Sequence, residues 1–168
     1  MKQSVKFSPY TLFITICSLA ILIAIMLILL RDGKEFAAYV FAGVIVLICL
    51  LSLFYAPVSV SVDGHSLNVN RKLRTRSIPL DEIESIRLCP PTMGERRVCG
   101  SGGWFGYWGW FHDRELGRYF AYYGKSSDCF LVRLRNGRNY VIGCQNPQTI
   151  VDEVCKKISC RQLTIIIQ

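Results

Sequence analysis

Two apolar runs, Tyr10–Leu30 and Phe36–Tyr55, open the chain, and directly after them the hydrophobic pattern switches to a period of two. Neither run holds a charge, and each has about 20 residues, the length at which an α-helix crosses roughly 30 Å of hydrocarbon. Between them, Arg31-Asp32-Gly33-Lys34-Glu35 is polar and carries a glycine on which the chain can reverse. The pattern predicts a transmembrane hairpin within residues 1–56, with helices over about 10–30 and 36–55. The first run is too long for the core of a signal peptide and is followed by no small-x-small cleavage site, so it is expected to stay uncleaved.

Basic residues near the helix ends set the expected orientation. Lys2 and Lys6 precede the first run, and Arg71, Lys72, Arg74 and Arg76 follow the second; Arg31 and Lys34 lie in the connecting loop. The excess of Lys and Arg on the terminal side predicts both termini in the cytoplasm, in a cell (inner) membrane.

Pro57 is expected to end the second helix. Val58, Val60 and Val62 then alternate with Ser59, Ser61 and Asp63, which reads as a strand, and Asp63-Gly64 is a hairpin turn. Further strands are predicted over 67–70, 75–80 and 85–89, with a helical turn at 81–84; Pro90-Pro91 ends the last of them. Thr92–Leu116 reads as a long irregular stretch. Three more strands follow over 118–124, 129–135 and 139–144. Asn136-Gly137 between the last two is expected to form a two-residue type I′ turn. That turn would place Cys129 opposite Cys144 on an outer face shared with Arg133 and Arg135, with Arg138 in the same basic cluster. Asn146 and Pro147 open a terminal helix whose apolar stripe is Ile150, Val151, Val154, Cys155 and Ile158. The apolar tail 163–168 is expected to dock on the sheet or pair with an edge.

The expected architecture is therefore a transmembrane helical hairpin, then a mainly-β domain over 57–162. About seven short antiparallel strands form a small barrel or sandwich, capped by one amphipathic helix. At this point the chain resembles the bacterial pleckstrin-homology-like domains. The resemblance rests on the opening Val-x-Val-Asp-Gly, on Arg-Ser-Ile-Pro-Leu-Asp-Glu-Ile-Glu-Ser-Ile at 76–86, on Gly-Ser-Gly-Gly-Trp-Phe-Gly-Tyr at 100–107, and on Tyr140-Val141-Ile142 followed by the Asn146-Pro147 helix. It covers residues 55 to 160 and implies a membrane-attached module. Pleckstrin-homology domains that hold inositol phosphates use basic residues around their first hairpin. Here that turn is Asp63-Gly64-His65, so the resemblance implies no phosphoinositide site at that place.

Composition narrows the partners. Of the 168 residues, those from Ala56 onward carry 16 Lys and Arg against 10 Asp and Glu, which is +6 of the net +8. Such a domain, held at a membrane, is attracted to anionic headgroups. No helix has the dense basic face expected of a nucleic-acid binder. The eight cysteines include no C-x-x-C, and neither His65 nor His112 stands at ligand spacing to a cysteine pair, so no metal or other cofactor is expected. Thiols without a disulfide pattern suit a reducing compartment.

Two groups are candidate contact surfaces. The densest is Gly100–Phe111, where Trp104, Phe105, Tyr107, Trp108, Trp110 and Phe111 stand among five glycines. No helix or Gly-Lys-Ser/Thr follows, which argues against a phosphate loop. Three readings remain: a packing loop folded over the barrel, a loop in the membrane interface where Trp and Tyr keep their polar tips wet, and a surface for a protein partner. The second group, Arg71, Lys72, Arg74 and Arg76, is either a charged edge that discourages strand pairing or a contact for headgroups or a partner. His112-Asp113 beside Cys99 suggests no known catalytic motif, and the chain is not expected to be an enzyme. The expected function is a membrane-anchored module binding a protein partner or anionic lipid headgroups. The alternative is an accessory subunit of a membrane complex, in contact through a hairpin whose Ala37, Ala38, Ala42 and Gly43 permit close helix packing.

Overall fold

A computed structural model describes the backbone of residues 1–90 and 95–166 and the side chains of those as far as Ser159. Two long helices, α1 (Pro9–Arg31) and α2 (Glu35–Tyr55), form the hairpin, and both are long and apolar enough to cross a membrane. Ser8 caps α1, accepting a hydrogen bond from the Thr11 amide at 3.1 Å, and Pro9 occupies its first turn. Gly33, with φ of 69°, makes the reversal. The helices are inside out by the standard of a soluble protein. The buried residues of α1 are Thr11 and Thr15, while Phe13 and Ile16 are 65% and 66% exposed. Ala38 packs inward and Ala42 half-inward, whereas Ala37 and Gly43 face out.

Sequence and structure differ at the N-terminus. Strand β1 (Lys2–Ser4) precedes α1 and pairs antiparallel with β2 (Pro57–Val62), placing Gln3 opposite Val60. Val5 is buried, and its amide donates to the Val58 carbonyl at 2.9 Å. The helical hairpin is thus inserted between two neighbouring strands of one sheet, and the first residues belong to the β domain.

β3 (Ser66–Arg71) and β4 (Thr75–Pro79) complete a four-stranded sheet in the order β1-β2-β3-β4. A 3₁₀ turn at Leu80–Glu82 leads into β5 (Ile83–Leu88). The second sheet adds β6 (Arg96–Gly103), β7 (Gly106–Asp113), β8 (Gly117–Tyr123), β9 (Cys129–Leu134) and β10 (Asn139–Gly143), in the order β5-β9-β10-β8-β7-β6. β8 and β10 run parallel; the other pairings are antiparallel. The segment expected to be irregular between 92 and 116 is therefore largely a long hairpin, β6–β7.

The main core lies between the sheets. Val60, Leu67, Val69 and Ile78 meet Phe130, Val132 and Ile142, and α3 (Pro147–Ile166) closes it with Ile150, Val151 and Val154. Cys155, expected in this stripe, is exposed. The second sheet is apolar on its other face too, where Phe111, Tyr119, Ala121, Tyr123, Leu131 and Val141 cluster. Residues 163–166 continue α3; Ile167, Gln168 and the side chains of the tail, and with them its expected docking on the sheet, lie outside the described residues.

The β9–β10 register corrects the expected turn. Cys129 faces Gly143, and Val132 faces Tyr140. A type I′ turn needs positive φ at both central residues, but only Gly137, at 78°, has it. The Leu134 amide donates to the Arg138 carbonyl at 2.9 Å, leaving a three-residue loop. This one-residue slip reverses the faces. Cys129 enters the core of the outer face while Cys144 enters the core between the sheets, so the two do not share an exposed face. Arg138 also parts from Arg133 and Arg135.

Candidate functional site

The β6–β7 hairpin owes its shape to glycines. Gly100 faces Gly109 across the ladder. A Cβ on Gly109 would collide with the Cys99 carbonyl oxygen, and one on Gly100 with that of Trp108. Both have φ in the range that favours glycine, 135° and 120°. Gly103 and Gly106 flank the two-residue tip, Trp104-Phe105, where Phe105 sits at φ of 50°.

The tip is seated on the helical hairpin. The Phe105 amide donates to Thr15 Oγ1 at 3.1 Å, and Thr15 in turn donates to the Thr11 carbonyl at 2.8 Å. This explains why threonines are the buried residues of α1. On the other side, Trp104 and Trp108 line a cleft with Ile48, Leu51 and Ser52 of α2, and Trp108 stacks on Tyr55 at 5.2 Å. Thr15 is six residues into α1, and Ile48 is seven before the end of α2. At 1.5 Å per residue the tip reaches about 10 Å along both helices.

Alternation along β7 divides the remaining aromatics. Tyr107 stacks on Tyr123 at 4.7 Å and Phe111 on Tyr119 at 6.1 Å, within the outer core. Trp110 lies on the opposite face, edge-on to Phe120 at 5.2 Å, with the Arg118 guanidinium 4.5 Å from its ring. The aromatics expected to act as one loop thus have three settings: tip, outer core and cleft.

The basic cluster divides as well. Arg71, Arg74 and Arg76 line a cavity of about 460 Å³ between the β4 edge and the β7–β8 face, and Arg138 joins them from the β9–β10 turn. Tyr55, Trp110, Phe120 and Tyr122 supply its aromatic wall. Lys72 instead faces a cleft with Phe7, Leu53 and Phe105. Of the aromatic wall only Trp110 is among the residues singled out from sequence, and Arg138 is grouped there with Arg133 and Arg135 rather than with Arg71, Arg74 and Arg76. The expected two-residue turn put Arg138 on the face of Arg133 and Arg135, and the observed register moves it to the other face.

His112, Asp113 and Cys99 do not form a reacting group. Asp113 Oδ1 accepts from the Glu115 amide at 2.7 Å and so fixes the β7–β8 turn. His112 is opposite Arg96, whereas Cys99 is opposite Trp110. Among the described residues no cluster of three His, Cys, Asp or Glu side chains could hold a metal.

On the outer face, both carboxylate oxygens of Glu95 lie 3.0 Å from the Tyr123 hydroxyl, which donates to them. The Tyr119 hydroxyl is within influence of that carboxylate but makes no well-aligned hydrogen bond among the described residues. Burial raises the Glu95 carboxyl above its usual range of about 4.5, outweighing the lowering by the tyrosine hydroxyls. The folded state therefore holds this proton more tightly than the unfolded chain. Stability from it is present at low pH and lost as pH rises through the raised value. Thermal unfolding across that window is expected to show this loss, and Glu95→Gln is expected to flatten it.

Residues 58–158 match the bacterial PH domain family. The match covers more than half of the chain, and the chain belongs to that family: a bacterial PH domain preceded by two long apolar helices. No curated protein and no solved structure matches it.

Proposed function

We propose that this chain is a membrane-anchored binding module whose PH domain works at the surface of the cytoplasmic leaflet, in contact with lipid headgroups, and that it is not an enzyme. The seat of the β6–β7 tip carries this reading. Anchored at α1 and α2 together, the tip holds Trp104 and Phe105 beside the domain-proximal ends of both apolar helices. Trp at that depth suits the boundary between headgroups and acyl chains. The arginines support the orientation. Arg71 is distant from α2 in sequence, yet its guanidinium lies 5.7 Å and 5.9 Å from the Phe54 and Tyr55 rings. The basic group thus stands at the helix end, where the positive-inside rule counts it.

A Gly33→Cys variant tests the orientation. A membrane-impermeant maleimide added to intact cells is expected to label residue 33. Cys99 and Cys155, both exposed on the domain, are expected to react only after permeabilisation. Labelling of the domain cysteines with protection at residue 33 would reverse the topology.

A second reading is an accessory subunit of a membrane complex. Ala37 and Gly43, which are exposed on α2, support it, because small residues let another helix approach closely. Crosslinking from an Ala37→Cys variant in native membranes is expected to trap a discrete partner if this reading holds, and only lipid or random adducts if it does not.

A further inference from the structure

Arg71, Arg74, Arg76 and Arg138 converge on one cavity from two turns more than 60 residues apart in the chain. No carboxylate lines it, and among the described residues none of the four makes an ion pair. Two are held in place. The Arg71 guanidinium lies within 6 Å of three rings, including Tyr122 at 5.6 Å. Arg76 lies 5.9 Å from the Tyr140 ring and donates to the Tyr140 hydroxyl at 3.2 Å. Aromatic faces fix a cation without neutralising it. Like charges brought together this way repel one another until an anion joins them.

Guanidinium is a planar fork of donors that fits phosphate oxygens two at a time. Trp110 and Phe120 offer apolar faces to the organic part of a phosphate ester. The cavity is also distinct from the place that the family resemblance would suggest. Asp63-Gly64-His65 joins β2 to β3, at the end of β3 opposite to Arg71.

We propose that this cavity is a binding site for a phosphate-bearing anion. The proposal rests on the membrane-surface reading for one point only, the source of the ligand. Tyr55, the last residue of α2, lines the cavity, so a lipid headgroup of the adjacent leaflet is within reach. A soluble phosphate is the other source.

The test uses the full chain in phosphatidylcholine nanodiscs, with and without phosphatidic acid. Native mass spectrometry then reads the lipid retained. Arg74→Gln with Arg138→Gln is compared with Arg133→Gln with Arg135→Gln. All four residues are exposed, and each pair removes two charges, but Arg133 and Arg135 lie outside the cavity. The cavity pair is expected to lower phosphatidic acid retention about tenfold, and the control pair to leave it within about twofold. A second arm adds inorganic pyrophosphate to the protein in pure phosphatidylcholine and reads the melting temperature. Cavity-dependent retention of phosphatidic acid assigns the ligand to the membrane. A pyrophosphate shift that vanishes in the cavity pair, without lipid retention, assigns it to solution. Equal losses in the two pairs, or no cavity-dependent effect in either arm, would overturn the site. Trp104 does not line the cavity, so its depth in the bilayer reports on the membrane-surface reading independently of this outcome.

Discussion

Gly109→Val is expected to cost about 3 kcal/mol of stability and to release the β6–β7 hairpin from the two apolar helices. Two separate penalties combine. The new Cβ would strike the Cys99 carbonyl oxygen and the Gly100 Cα across the ladder, both backbone atoms that no side-chain rotation can clear. Val must also adopt a φ of 120°, which β-branched residues avoid. The neighbouring strands cannot yield cheaply, because β7 is tied to β8 from Tyr107 to Asp113. Thermal unfolding in detergent reads the loss. Fluorescence of Trp104 and Trp108, shifted towards that of exposed indole, reads the release. Gly64→Ala is the matched control: a Cβ there meets open space, and stability is expected to change by no more than about 0.5 kcal/mol.

Removing residues 1–56 is expected to damage the β domain rather than liberate it. A fragment beginning at Pro57 lacks β1 and leaves β2 as a bare edge. It also lacks Val5, whose burial is worth about 2 kcal/mol. Each lost strand hydrogen bond removes about 1 kcal/mol more, against about 5–15 kcal/mol for a whole domain. The tip of β6–β7 loses its seat at Thr15 in the same step. The fragment is expected to aggregate or to unfold at a much lower temperature. Restoring residues 1–8 through a flexible linker in place of 9–55 is expected to recover most of the sheet, but to leave the tip exposed. Equal stability of the fragment and the linked chain would show that β1 contributes nothing to the fold.

The first strands and the terminal helix were legible in the sequence because one face is buried and the pattern repeats; the two apolar helices were legible because their runs are long and uncharged. Val60 and Val62, or Ile150 and Val154, carry their environment in their spacing, whereas Val58, next to the irregularity in the β2–β3 register, is exposed while Ser59 is buried. β6 and β7 carry no such signal. Their glycines present no side chain to pack, and β7 buries Tyr107 and Phe111 in one direction while directing Trp108 and Trp110 in the other. β1 is three residues long and lies on the far side of a helical hairpin from its partner, so nothing local marks it. The Asn136-Gly137 pair marked a turn correctly but not its length, because the length depends on whether Asn136 adopts positive φ. The basic cluster was half legible. Arg71, Arg74 and Arg76 are close in sequence, whereas Arg138 and the aromatic wall reach them only through the packing of the two sheets.

The depth of Trp104 tests the central claim most directly. In full-length protein with Trp108→Phe and Trp110→Phe, Trp104 is the remaining tryptophan. The protein is reconstituted in vesicles whose lipids carry a quencher at the headgroup, at the upper acyl chain or at the bilayer centre. The strongest quenching is expected from the headgroup and upper-chain positions, with little from the centre and little from iodide in the water. Strong quenching by iodide, with none from lipid quenchers at any depth, would place the hairpin tip in solution and contradict a domain held against the membrane surface.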